Sequence, residues 1–176
     1  LFSMIGDDAE GRALLGELHA ARVDTSGVLR STGPPTGSYL AVLDRDGRLM
    51  VAAADMEVYD AMDAAWGDRL GRSLRGFDAW VVDANLGAAT LASLLQHSGE
   101  AVVVADPVSV PKASRLEGLL SRIDTVFPDR VEAQVLAGLR PGSETSVASS
   151  AAAIRRRGAR AVVVSLGSRG AYLDEP

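Results

Sequence analysis

The 176-residue chain has no cysteine, a single lysine and only two histidines, His19 and His97. Without thiols there is no disulfide framework and no thiolate metal centre, and two scattered imidazoles do not make a zinc cluster. Aromatic residues are sparse at 5%, and the one basic triplet, Arg155-Arg156-Arg157, has no aromatic neighbour on which a base could stack. With a formal charge of −5, this excludes the electrostatic footprint of a nucleic-acid binder. The triplet is expected at a helix C-terminus, where cations offset the helix dipole. No apolar run approaches the ~20 residues of a membrane span. "LFSMIGDD" lacks the basic start and long apolar core of a signal peptide. The expectation is a cytoplasmic protein with neither nucleic-acid nor membrane partner.

What is present is the balance of a globular protein, 47% apolar and 23% charged. The length suits one domain of the usual ~100–150 residues better than two. The chain opens on Leu1-Phe2-Ser3-Met4-Ile5, residues of the middle or end of a strand, with no initiator methionine; it reads as cut from something longer.

From Asp7 to Ala21 the apolar positions Leu14, Leu15, Leu18 and Ala21 share one helical stripe, and Asp7 with Glu10 resembles a capping box. "DTSGVLRSTGPPTG" gathers turn residues and is expected to be a loop. In "SYLAVLDRDGRLMVAAAD" two strand-forming runs flank Asp46-Gly47, the signature of a hairpin. After Met56 the pattern blurs until "DAWVVDAN", a short buried strand followed by a helix lined by Ala88, Leu91, Leu94 and Leu95. The unit then repeats: "AVVVAD" and "IDTVF" read as strands, "SRLEGLLSR" and "RVEAQVLAGL" as helices. A helix over "SETSVASSAAAIRRRG", with Val147, Ala151 and Ile154 inward and Gly158 as its stop, leads to the strand "ARAVVVSL". Apolar strands alternating with helices predict an α/β fold whose parallel sheet is covered on both faces. The hairpin has no place inside such a sheet and is expected to project as a flap.

Ligands of open α/β sheets bind beyond the carboxyl ends of the strands. Here those ends are Asp83-Ala84-Asn85, Asp106-Pro107-Val108-Ser109, Phe127-Pro128-Asp129 and Ser165-Leu166-Gly167. "SLGSRG" is a tight turn between strands or a phosphate nest, since Gly167 and Gly170 allow backbone N–H groups to approach an anion. Asp129 and Glu132, at i and i+3 where strand turns to helix, cap that helix, help to hold Mg²⁺ through water and phosphates, or do both. Lys112 starts a helix, where a cation opposes the dipole; it is solvated or a ligand for an anion. Asn85 makes a turn or binds hydroxyls.

Together these stretches resemble the ribokinase-like, or PfkB, family of carbohydrate kinases along essentially the whole chain. "GDDAEGRALLGELHAARVDTSGV" is similar to that family's Gly-Asp-Asp helix and the turn after it. "FPDRVEAQVLAG" is similar to the segment with its Asn-x-x-Glu motif, and "VVVSLGSRGAYL" to its nucleotide-binding strand and turn. Within the family, "GSYLAVLDRDGRLMVAAADMEVYD", "DANL" and "DPVSVPKASRL" are most similar to the pseudouridine kinases.

The resemblance implies a Rossmann-like ribokinase fold with a mostly parallel sheet flanked by helices and a β-hairpin lid. The lid is expected over about residues 36–56 and the α/β core over 1–35 and 77–176. The implied activity transfers the γ-phosphoryl group of ATP, with Mg²⁺, to the ribose 5′-hydroxyl of a small sugar or nucleoside, pseudouridine first. Another sugar is the alternative within the class. A truncated, non-catalytic domain that binds nucleoside or a partner is the alternative outside it.

Carried over, Ser165, Leu166, Gly167, Ser168, Arg169 and Gly170 contact the ATP phosphates, and Asp129 with Glu132 organises the metal. Asn85, Asp106 and Lys112 with the lid residues Tyr39 and Met56 form the substrate set, and the lid suggests a homodimer. Asp129 departs from the family's asparagine and adds negative charge beside the triphosphate. The Gly-Ala-Gly-Asp motif that supplies the family's anion hole and catalytic base occurs nowhere in the sequence, so no catalytic residue is assigned and the chain alone is expected to be inactive.

Overall fold

The computed structural model describes residues 1–176. The chain divides into two compact units, Leu1–Met62 and Asp63–Pro176.

In the first unit, strand β1 (Phe2–Gly6) runs into helix α1 (Ala9–Ala20) and then strand β2 (Gly27–Ser31), which pairs parallel to β1. Two expectations are corrected here. The Gly/Ser/Thr-rich stretch after α1 is not all loop, because the ladder offered by β1 orders Gly27–Ser31 in spite of its turn-forming composition. The N-cap is Asp8, not Asp7: its Oδ1 accepts the Gly11 N–H at 2.8 Å. The apolar stripe of α1 is only part-covered, and Leu14, Leu15 and Leu18 line an open apolar cavity of 440 Å³ with Leu1, Ile5 and Val28.

Strands β3 (Ser38–Leu43) and β4 (Leu49–Asp55) form the expected antiparallel hairpin, with Gly47 at φ 77° in its turn. It is a two-stranded sheet of its own. Both of its faces are apolar and exposed, Tyr39 and Leu43 on one, Leu40, Val42 and Val51 on the other. A 3-10 segment, Glu57–Ala61, closes the unit.

The second unit opens with α2 (Ala64–Ser73), capped by Asp63, whose Oδ1 accepts the Trp66 N–H at 2.7 Å. Sequence periodicity did not reveal this helix, which carries glycines at 67 and 71. A Cβ at Gly67 would stand 2.5 Å from the Thr90 carbonyl oxygen, so the glycines permit close packing of α2 on α3 (Ala88–Leu95). The remaining elements are β5 (Ala79–Asp83), β6 (Val102–Asp106), α4 (Val110–Ala113), β7 (Thr125–Val126), α5 (Arg130–Leu136), α6 (Val147–Arg156), β8 (Ala161–Ser165) and β9 (Ala171–Asp174). Ser114–Arg122, expected as an α-helix, winds as 3-10. The "IDTVF" strand shrinks to two residues.

The sheet order is β5-β6-β7-β8-β9, parallel except for β9, with helices packed on it in an α/β arrangement. Alternation places Trp80, Val82, Val103, Ala105, Val126, Val162 and Val164 on one face. There they meet Leu91, Leu94, Leu95, Leu116, Leu120, Leu136 and Ile154 in one core. The cover is one-sided within this unit, in contrast to the two-sided sheet that the continuous apolar runs suggested: Val81, on the opposite face, is 81% exposed. Gly158, at φ 122°, ends α6 as expected, and α6 follows the N-cap Ser146. No helix is long and apolar enough to cross a membrane.

Candidate functional site

The carboxyl ends of β5, β6, β7 and β8 meet along one edge of the second unit. The register sets Asp83 beside Asp106, and the Ala84 N–H donates to the Asp106 carbonyl at 2.9 Å. Past the two-residue β7, Asp129 bridges Ser165, whose N–H donates to the Pro128 carbonyl at 2.9 Å. The start of α5 and the turn after β8 are thus fastened together.

At the start of α5 the capping reading is realised. The Asp129 Oδ1 accepts the N–H groups of Val131 and Glu132, each at 2.7 Å, and the Glu132 Oε2 accepts the Asp129 N–H at 2.8 Å. Glu132 is the one charged side chain the fold buries, 7% exposed. Burial pushes its carboxyl above the ordinary glutamate range, and the nearby Asp129 and Asp106 push the same way; the Asp129 N–H pulls against them. No group of three or more Asp, Glu or His side chains is placed to hold a metal ion. The two carboxylates keep Asp129 Oδ2 and Glu132 Oε1 outside the capping bonds, a donor set that fits Mg²⁺ only with waters and phosphates completing its shell.

The turn between β8 and β9 is a 3-10 segment, Gly167–Arg169, with Gly167 at φ 62° and Gly170 at φ 84°. Both values lie in the left-handed region that glycine enters without strain. The N–H groups of Leu166, Arg169 and Gly170 are bonded within the turn. Gly167 and Ser168 supply its leading N–H groups, which a helical turn leaves without an internal partner. Ser165, Gly167, Ser168, Arg169 and Gly170 are exposed, so the turn is open to an anion.

At the β5 and β6 ends, the Lys112 Nζ donates to the Asn85 Oδ1 at 2.5 Å. An ammonium only donates, so this bond fixes which end of the amide faces it and leaves the Asn85 Nδ2 as the donor for any ligand oxygen. Asn85 is also set by a turn, its N–H donating to the Asp83 Oδ1 at 2.7 Å. Sequence reading overlooked Arg115, one turn beyond Lys112. Its Nη1 donates to three successive carbonyls, those of Ala84 and Asn85 at 2.9 Å and of Leu86 at 3.4 Å. The available signal was a second cation three residues after Lys112 in "PKASRL".

Asp106 Oδ1 accepts the Val108 N–H at 2.7 Å, and Val108 itself sits at φ 67°, a strained value for a β-branched residue. The second unit therefore brings together Asn85, Asp106, Lys112, Asp129, Glu132 and Ser165–Gly170 along one edge. Tyr39 and Met56 belong to the first unit, on β3 and just after β4.

A family model described as pfkB family carbohydrate kinase matches residues 1–175. A pseudouridine kinase of Escherichia coli (strain K12) is 31% identical over 175 residues, 99% of this chain and 56% of that protein. A solved carbohydrate kinase from Agrobacterium tumefaciens aligns with a TM-score of 0.74 at 28% identity, covering 94% of this chain and 52% of that one. Ribokinase of Arabidopsis thaliana, solved with ribose and ATP, aligns with a TM-score of 0.76 at 21% identity, covering 98% and 56%. The chain spans about half the length of the relatives it matches.

Proposed function

The chain belongs to the pfkB family of carbohydrate kinases, and from that premise we propose that it carries the nucleotide edge and part of the acceptor edge of a kinase for a ribose-containing nucleoside. The observation that carries this reading is the fastening of Asp129 to Ser165, which sets a buried carboxylate beside an open, glycine-bracketed turn. Ser165–Gly170 receives the phosphates of ATP through backbone N–H groups, and Asp129 with Glu132 holds Mg²⁺ through water. The metal supplies charge neutralisation at the phosphates. Asn85, Lys112 and Asp106 face the acceptor.

The reaction moves the γ-phosphoryl group to the ribose 5′-hydroxyl. The hydroxyl oxygen forms the new P–O bond, ADP leaves, and the hydroxyl proton passes to a base. Pseudouridine is the favoured acceptor, supported by the 31% identity to a pseudouridine kinase. The hairpin, with Tyr39 and Met56, serves as lid, and its second apolar face pairs with the lid of another copy. A cytoplasmic setting is part of the same reading.

Because the sequence contains no Gly-Ala-Gly-Asp motif, this chain is proposed to bind without turning over. The test is calorimetry of the 176-residue chain with ATP, with and without Mg²⁺, and with pseudouridine, uridine and ribose, alongside identification of any phosphorylated product. Binding of Mg·ATP and preference for pseudouridine are expected. Failure to bind ATP sinks the nucleotide assignment, and preference for ribose shifts the acceptor. Sustained product formation shows that a base lies within these residues.

A further inference from the structure

We infer that Arg115 is a positioning residue for Asn85, acting through the backbone of the loop that carries it. The loop Ala84–Leu86 follows β5 and precedes α3, whose N-cap Gly87 offers no side-chain bond. Two of its three N–H groups have local partners, Ala84 on the Asp106 carbonyl and Asn85 on the Asp83 carboxylate. Its three carbonyls converge on one guanidinium nitrogen.

Arg115 forms no ion pair with any carboxylate, so its charge is directed at these oxygens alone. Lys112 and Arg115 lie three residues apart, a spacing at which like charges on a helical turn repel. The oxygens of one loop compensate both cations: Lys112 takes the Asn85 side chain and Arg115 takes the backbone on either side of it. Held at both ends, the Asn85 amide has one orientation at the strand edge. Loss of Arg115 frees the loop to tilt, and with it the donor that Asn85 presents.

This assignment rests on the acceptor edge described under Proposed function, and its test separates the two. Arg115→Met keeps much of the apolar stem and removes the donors; Arg115→Lys keeps the charge on a side chain one bond shorter. In the 176-residue chain, amide exchange at Ala84 and Asn85, the hydrogen-bonded amides of the loop, is expected to quicken about tenfold in the Met variant, the scale of losing charge-assisted bonds. Amides of β6 and α5 stay protected, and the Lys variant recovers part of the loss.

Affinity for pseudouridine is expected to fall by a similar factor, about tenfold, while Mg·ATP binding stays unchanged, a split that general loss of structure would not produce. Unaltered exchange at Ala84 and Asn85 overturns the inference, and so does equal weakening of both ligands. If the parent chain takes no pseudouridine, the acceptor reading falls, and the exchange measurement alone decides for or against Arg115. If the Met variant fails to fold, the same comparison is made with the Lys variant, where unchanged exchange is the refuting result.

Discussion

Glu132→Gln removes the charge from the only buried carboxylate and leaves an oxygen to accept the Asp129 N–H. Three contributions set the magnitude. A helix N-terminus favours a negative charge by about 0.3–1 kcal/mol, which the variant loses. Burial disfavours that charge and has raised the carboxyl's pKa, a cost the variant escapes. The capping bond survives through Oε1. The net change at neutral pH is therefore expected to lie within about 1 kcal/mol of zero. Glu132→Ala is different, because it strands the Asp129 N–H and should cost ~1–3 kcal/mol.

The pH dependence carries a definite sign. The folded chain holds the Glu132 proton to higher pH than the unfolded chain, whose value is near 4.5. Just above that value the folded state binds more protons, so this group's contribution to stability falls as pH rises through the window. The glutamine variant lacks the slope. Urea unfolding of the three proteins at about pH 5 and about pH 8 should show the variant gaining on the parent as pH rises. A loss above about 2 kcal/mol for Glu132→Gln at the higher pH, beyond any helix-end charge, would refute the reasoning. A difference that drifts the other way would refute it too. Affinity for Mg·ATP should fall roughly tenfold in the variant, with less change for ATP alone, if the charge serves the metal.

Other expectations follow from the same geometry. Gly67→Ala gains ~1 kcal/mol of helix propensity but drives a methyl into the Thr90 carbonyl, and overpacking of ~1–3 kcal/mol should leave it less stable. Gly16→Ala, where the new methyl meets nothing within 4 Å, should instead stabilise by roughly 0.5–1 kcal/mol in the same urea assay. Asp8 has its pKa lowered to about 2, chiefly by the Thr36 hydroxyl. Its contribution is complete above the unfolded value of 3.8 and is lost as pH falls towards 2. Thr36→Val should raise the Asp8 carboxyl's titration point, read by NMR, and bring acid unfolding to higher pH. Val108→Gly should relieve backbone strain of ~1–3 kcal/mol against a glycine entropy cost of ~0.5–1 kcal/mol, raising the unfolding midpoint.

Local chemistry explains which parts were legible in sequence. "AWVVD", "VVVAD" and "AVVVS" carry the β-branched density of strands, although only one of their faces is buried, and Asp46-Gly47 carries the conformational signal of a hairpin turn. The Asp129/Glu132 capping box was legible because its two partners are three residues apart. Gly27–Ser31 was not, since its order comes from a partner strand more than twenty residues away. Helix α2 was masked by Gly67 and Gly71, residues poor for a helix and good for a close helix neighbour. Arg115 left little trace, because backbone carbonyls have no letter in the sequence.

The Asp8 carboxylate has a mechanical meaning for the hairpin. Besides capping α1 it grips the inbound stem, with Oδ2 accepting the Thr36 N–H at 2.7 Å and Oδ1 the Thr36 hydroxyl at 2.6 Å. The Thr36 hydroxyl oxygen in turn accepts the Gly6 N–H at 2.9 Å. The outbound stem has short-range bonds, from the Glu57 N–H to the Asp55 Oδ1 and from the Tyr59 N–H to the Met56 carbonyl, and runs into the Glu57–Ala61 segment, which packs on β1 with Val58 fully buried. The two stems are therefore held by different means, the inbound one by hydrogen bonds at Thr36 and the outbound one by burial of Val58. With a fixed point at the base of each strand, a load on the tip is carried into both stems, and bending falls on the exposed ribbon Ser38–Asp55 between them.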